Sequence, residues 1–323
     1  MTRKGFPRSP RAPVTAVRRR YATAVMAREV LRDVARVLEL RGIRVMPLKG
    51  VLLQHLLYAD PAERALTDVD VLVPEQDFEH AILALIEAGF QPLSVGKSLV
   101  ECALRAPRGF TVDLHRQLFG RGRYRLSTDA LFRRASRDES LLGVPLYIPD
   151  PYDTAAHLIG KFVTDQERFD PLPRLEELAA WAAHCSLDPV QLGCHLCGCG
   201  MQRAGHYVLS RGAEMDSDAF FSAALAAFPV GARGKMYTRV ARALIPRLQG
   251  TKLASLPAHL LNTSLARGAV SLSWVVAGRV CHAWLTRQRG AGGGYWSPFF
   301  APVGNVRSAQ RRELASRPTA QRS

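Results

Sequence analysis

Residues Met46–Val73 read MPLKGVLLQHLLYADPAERALTDVDVLV. The last seven, Thr67–Val73, alternate polar and apolar side chains, the period-2 pattern of a strand. Asp68 and Asp70 stand at i and i+2 and so project from one face. Two carboxylates side by side among Val69, Val71, Leu72 and Val73 repel each other, and a divalent cation relieves that cost. Mg²⁺ suits the pair, because it takes hard oxygen ligands: one or two protein carboxylates together with phosphate oxygens. A lone Asp-x-Asp also marks many ordinary strand ends, so the reading needs a second feature.

The segment before the pair supplies one. Ile43–Leu48 is a short apolar strand and Val51–Tyr58 a helix, with Lys49-Gly50 at the junction. Glycine lets a backbone approach a ligand closely. The following helix N-terminus offers free N–H groups to a phosphate, and Lys49 adds a point charge. Lysine is scarce here, with six among 44 basic residues. No G-x-x-x-x-G-K-[ST] loop is present. Arg64, in the loop Asp60–Leu66, stands where its fork would reach a phosphate; a solvent-facing arginine is the plain alternative.

Further along, Glu75–Ala88 has helical periodicity and Gly89 suits its cap. Gln91–Val95 and Leu99–Arg105 are expected strands, and Phe110–His115 is another, carrying Asp113. If this last strand lies beside Thr67–Val73, Asp68, Asp70 and Asp113 converge on one patch. Two metal ions there would clamp a nucleotide, and Asp113 would take the proton of an attacking hydroxyl. His115 shares a face with Asp113 and would orient a substrate or a carboxylate; a satisfied strand histidine is the alternative.

An amphipathic helix, Tyr21–Leu40, precedes all of this. After about residue 125 the pattern becomes helical: Thr128–Ala135, Tyr152–Val163, Leu172–His184, Val190–Ser210, Ala219–Ala227 and Lys235–Leu248, with one strand at Val144–Ile148. The expected organisation is an α/β domain over 21–125 and a helical domain over 126–286. His157 and Lys161, at i and i+4, share a helix face, and Lys161 is a candidate triphosphate contact. Cys185, Cys194, His195, Cys197 and Cys199 cluster, and Cys194-x-x-Cys197 has zinc-ligand spacing, but no second pair completes a finger.

The chain has 323 residues and a formal charge of +16. Residues 1–20 hold seven bases and no acid, and 286–323 hold seven bases against Glu313. The body between keeps only +3 of the +16. The excess therefore lies in two expected disordered segments, an arm over 1–20 and a Gly-rich linker and tail over 287–323. A body with so little excess charge argues against nucleic acid as the main partner. No apolar run reaches the roughly 18 residues of a membrane span. A cytoplasmic location with reduced cysteines is expected.

Together, Lys49-Gly50, the apolar helix, Tyr58-x-Asp60-Pro61 and Arg64-x-x-x-Asp68-x-Asp70 resemble a family of uncharacterised bacterial nucleotidyltransferases. That family sits within the DNA-polymerase-β-like nucleotidyltransferase superfamily. Val112-Asp113-Leu114-His115 looks like its third-carboxylate strand, and His157 like its helical histidine. The resemblance implies a small mixed α+β sheet with an appended helical domain. It implies that Asp68, Asp70 and Asp113 ligate Mg²⁺ or Mn²⁺, and that Lys49 and Gly50 hold the triphosphate. The implied reaction moves a nucleoside monophosphate from a nucleoside triphosphate to a hydroxyl of a small molecule, glycan precursor or protein, releasing pyrophosphate. The alternative is a degenerate or antitoxin-like protein of this fold, acting through a protein partner. Two departures stand out. Gly50-Val51 replaces the superfamily's Gly-Ser or Gly-Gly, and Leu175-Glu176-Glu177-Leu178 stands where the family often carries an Asp.

Overall fold

A computed structural model describes residues 14–95, 100–120, 122–165, 172–215, 219–228, 230–248 and 256–261, with Ala269 and Ser273. The chain divides into two compact units, Met1–Val276 and Ala277–Ser323, and all the described residues lie in the first. Residues 1–13 of the expected arm, Cys281 and the whole 287–323 tail fall outside them.

The chain opens with α1 (Val14–Glu39), which buries Ala24, Ala27, Val30, Leu31, Val34, Ala35 and Leu38 on one stripe. That spacing is the apolar face of a helix packed on a core. The helix starts seven residues before the expected Tyr21, taking in Arg18, Arg19 and Arg20 of the segment read as a disordered arm. Gly42, at φ +68°, turns the chain out of it, with Ile43 N–H donating to Leu38 C=O at 2.9 Å.

The α/β part continues through β1 (Met46–Pro47), α2 (Lys49–Leu57), β2 (Asp68–Leu72), α3 (Phe78–Glu87), β3 (Gln91–Val95), β4 (Glu101–Arg105) and β5 (Thr111–His115). Short 3₁₀ turns at Pro61–Glu63 and Glu75–Asp77 join α2 to β2 and β2 to α3. The five strands form one mixed sheet in the order β1-β2-β5-β4-β3. β2 and β5 are parallel; the other three pairings are antiparallel.

The two faces of this sheet differ in chemistry. Val69, Val71, Cys102, Leu104, Val112 and Leu114 alternate onto one face and are fully buried. α1 packs against β2 and α3. The opposite face carries Asp68, Asp70, Asp113 and His115, the positions two apart from one another along β2 and β5.

The helical part comprises α4 (Thr128–Arg134), the ribbon β6 (Ser136–Asp138) with β7 (Leu146–Ile148), then α5 (Pro151–Asp165), α6 (Leu172–His184), α7 (Pro189–Gly198), α8 (Gln202–Glu214), α9 (Ala219–Ala227), α10 (Ala232–Leu248) and α11 (Leu256–Leu260). β6 was not foreseen: Ser136-Arg137-Asp138 has two exposed residues and no apolar alternation to reveal it. The expected single helix Val190–Ser210 is two helices. Gly200, at φ +70°, breaks it, and Met201 N–H returns to Leu196 C=O at 2.8 Å, a helix-ending turn that glycine permits.

One apolar cluster joins the two parts. Met46, Leu48, Leu53 and Leu72 of the sheet region pack with Ile159 and Phe162 of α5, Trp181 of α6 and Phe221 of α9. Leu72 lies two residues beyond Asp70 on the same strand face, so the helical part covers one end of the carboxylate face.

Candidate active site

The parallel register of β2 and β5 sets Asp70 directly opposite Asp113 and Asp68 opposite Thr111. Paired strands present register partners on one side, so the three carboxylates share a patch, as their spacing led one to expect. Asp70 lies at its centre, with a side chain only 5% exposed. Its two oxygens have separate partners: Lys49 Nζ at 2.7 Å from Oδ2 and His115 Nε2 at 3.1 Å from Oδ1.

Burial pushes the Asp70 carboxyl up, but the His115 hydrogen bond and the Lys49 ammonium outweigh it and hold Asp70 far below the usual carboxylate range. Lys49 answers in kind: burial pulls its ammonium down, yet Asp70, with Asp68 and Asp165 beyond, raises it above its ordinary value. Asp113 shifts the opposite way. Burial first, and then the neighbouring Asp70, push it up to about 6. Asp68 accepts from Thr67 Oγ1 at 3.2 Å, and among the described residues no base pairs with it. Glu101, the register partner of His115 on β4, places Oε2 3.6 Å from His115 Nδ1. It adds a half-exposed fourth carboxylate that the sequence did not single out.

Lys49 is the first residue of α2, and Leu48 caps that helix without a side-chain hydrogen bond. Leu48 N–H instead donates to Asp70 C=O at 3.0 Å, which fixes the helix start against β2. A Cβ at Gly50 would lie 3.8 Å from Asp70 Oδ2 and 3.9 Å from Arg64 Nη1. Gly50 therefore sits between the central carboxylate and the guanidinium.

Arg64 does not face solvent. Its Nε and Nη2 donate to Glu177 of α6 at 2.5 and 3.3 Å, and its Nη1 donates to Gly50 C=O at 3.0 Å. Buried Gln54 anchors the loop that carries it, donating from Nε2 to the carbonyls of Pro61 and Arg64 at 3.0 and 2.8 Å. Glu177 belongs to the stretch read as a departure from the family pattern. Its role as the Arg64 partner was invisible without the tertiary contact.

α5 brings His157 and Lys161 from the helical part. His157 is buried, edge-on to Phe119 with ring centroids 5.8 Å apart. Burial, then the Lys49 and Lys161 charges, lower its pKa well below the ordinary value, so the ring is neutral. It lines a cavity of about 10 Å³ with Lys49, Leu48, Thr154 and Asp153. Lys161 pairs with Asp165 at 3.2 Å, one turn along the helix.

The donor set fits a divalent cation. Three carboxylates from adjacent strands, one of them with a raised pKa, supply hard oxygens and a charge excess that a cation would relieve. The Cys194-x-x-Cys197 pair, which lacked a second pair in the sequence, forms no metal cluster among the described residues. Cys194 is exposed.

Residues 6–180 match a family described as uncharacterised nucleotidyltransferases. No curated protein is similar to the chain in sequence. Among solved structures, an antigenic nucleotidyltransferase-like protein from Paracoccidioides brasiliensis is similar at 16% identity and a TM-score of 0.41, over 64% of this chain and 95% of that one. Among the described residues no helix is long and apolar enough to cross a membrane.

Proposed function

The chain belongs to the family of uncharacterised nucleotidyltransferases, and from that premise we propose that it transfers a nucleoside monophosphate from a nucleoside triphosphate to a hydroxyl, with release of pyrophosphate. The observation that carries this reading is the parallel register of Asp70 on Asp113 with Asp68 beside them. Asp68, Asp70 and Asp113 would hold Mg²⁺ or Mn²⁺. Such an ion, when bound, neutralises phosphate charge and favours the ionised form of a coordinated hydroxyl.

The protein's own groups supply the rest. Lys49 and the start of α2 present positive charge and free N–H groups to the phosphates. Arg64, held by Glu177 beside Gly50, places a second cation on the same side. Asp113, the register partner of Asp70, would accept the acceptor's proton. His157 stays neutral and orients without carrying charge. Lys161 reaches the triphosphate by exchanging its Asp165 partner for phosphate oxygens. His115 holds Asp70 in place. The expected location is the cytoplasm, where nucleoside triphosphates are plentiful.

A second reading, nucleotide binding without turnover in the service of a protein partner, is favoured by one feature: both oxygens of Asp70 already have protein partners. Calorimetry with each nucleoside triphosphate, with and without Mg²⁺, separates the two when combined with a pyrophosphate-release assay. Mg²⁺-dependent binding lost in Asp68→Asn, with pyrophosphate released over a panel of hydroxyl acceptors, is the result expected of the enzyme. Binding that ignores Mg²⁺ and Asp68 would overturn it.

A further inference from the structure

A second constellation lies on the helical part. Asp153, in the first turn of α5, places Oδ1 2.9 Å from His195 Nε2 on α7. Cys199, at the C-cap of α7, places Sγ 3.6 Å from the same nitrogen. The three ligand atoms all lie within 4.8 Å of one another. We propose that Asp153, His195 and Cys199 form a zinc site, separate from the carboxylate patch, that ties the start of α5 to the end of α7.

The geometry argues for an ion in three ways. A single ring nitrogen faces both a carboxylate oxygen and a sulfur, and one N–H can serve only one of them. A cation at the convergence point serves all three at once. The donor set is mixed: thiolate, imidazole and carboxylate together select zinc over Mg²⁺, which prefers oxygen alone. Finally, Arg134 grips both oxygens of the carboxylate, its Nε 2.8 Å from Oδ2 and its Nη2 2.7 Å from Oδ1. A ligating carboxylate commonly has such an outer partner to orient it. With three protein ligands, water completes the set. His195 and Cys199 are at i and i+4, so the helix end itself aligns them.

The rival is a metal-free hub in which Arg134 and His195 together neutralise Asp153. The full-length chain, stripped with chelator and titrated with Co²⁺, distinguishes the two. One equivalent of Co²⁺ should produce the near-ultraviolet band of a thiolate–cobalt bond, and Zn²⁺ should displace it. Cys199→Ser should abolish the band, and His195→Gln should weaken binding at least tenfold. Cys197→Ser and Asp68→Asn should keep it. Zn²⁺ should also raise the melting temperature of the wild type and not of Cys199→Ser, with circular dichroism showing that variant folded. Absence of the band at micromolar Co²⁺ would overturn the proposal, as would a band that survives Cys199→Ser and disappears in Cys197→Ser. Neither result bears on nucleotidyl transfer.

Discussion

Lys49 Nζ lies 2.7 Å from Asp70 Oδ2, so the ammonium proposed to meet a triphosphate is already engaged with the central carboxylate of the patch. The pair is mutually tuned. Lys49 lowers the Asp70 pKa and Asp70 raises that of Lys49. A nucleotide and a divalent cation held at this patch would compete for the two members of this pair.

Asp70→Asn illustrates the cost of breaking such a pair. Relief of carboxylate repulsion alone predicts an unchanged or stabilised fold. The structure reverses that sign, because the variant leaves Lys49 and His115 facing a neutral amide in a buried site. Loss of one member of a buried pair typically costs about 3–5 kcal/mol, and the 23% exposure of Lys49 puts this one nearer about 2–3 kcal/mol. Urea denaturation of the two proteins at pH 7 measures it, and a stability equal to the wild type's would contradict the pairing.

Asp113→Asn should behave oppositely. The folded value near 6 lies above the roughly 4 of an unfolded chain, so the folded state holds the extra proton between those pH values. Wild-type stability from this group is complete below about pH 4 and is lost as pH rises through 6. The variant should thus be the more stable protein at pH 8 by about 1 kcal/mol after solvent screening, and equal to the wild type at pH 4. Mg²⁺ should narrow the gap at pH 8, and transfer should be lost throughout. A stability difference between variant and wild type that stays constant from pH 4 to pH 8 would show Asp113 to be an ordinary surface carboxylate.

Glu177→Gln tests the link between the sheet and α6. The Arg64 guanidinium would keep Gly50 C=O but lose its carboxylate partner. A stability loss of about 1–3 kcal/mol is expected. Affinity for nucleoside triphosphate should rise at low salt, because a less neutralised cation faces the phosphates. The comparison of Glu177→Gln with Arg64→Gln and the double variant isolates the pair. Additive losses would show that the two side chains do not interact.

Gly160→Ala should be destabilising although alanine is the better helix former by about 1 kcal/mol. A methyl at Gly160 would run into the ring of Phe119. Overpacking of this kind costs about 1–3 kcal/mol. Since α5 carries His157 and Lys161, nucleotide affinity should fall with the melting temperature. Phe119→Leu in the Gly160→Ala background should recover part of both.

The sheet and the three carboxylates were legible because alternation over Thr67–Val73 and Phe110–His115 is a local property that burial of one face enforces. Asp70 opposite Asp113 followed from assuming that those strands pair. The partners of Arg64 and Asp153 were not legible. Glu177 is 113 residues from Arg64, and nothing in a run of Leu-Glu-Glu-Leu marks which glutamate turns inward. The Cys194-x-x-Cys197 spacing lacked a completing pair, and on the helix Cys194 faces out; the contact of Cys199 with His195 and Asp153 needed the tertiary fold to be seen. The break at Gly200 was hidden by a run of small residues that reads as continuous helix. The 3₁₀ turn at Glu75–Asp77 takes up the start of the expected helix Glu75–Ala88, as such turns commonly do at helix N-termini.

The parallel pairing of β2 with β5 also orders events in time. Antiparallel neighbours can zip from a tight turn, but these two strands meet only after α3, β3 and β4 have been laid down between them, a long closure that slows the search. The clasp of Arg64 by Glu177 waits longer still, until α6 has been synthesised. A chain emerging from the ribosome therefore completes the strands of its carboxylate patch before the helix that clasps Arg64 exists.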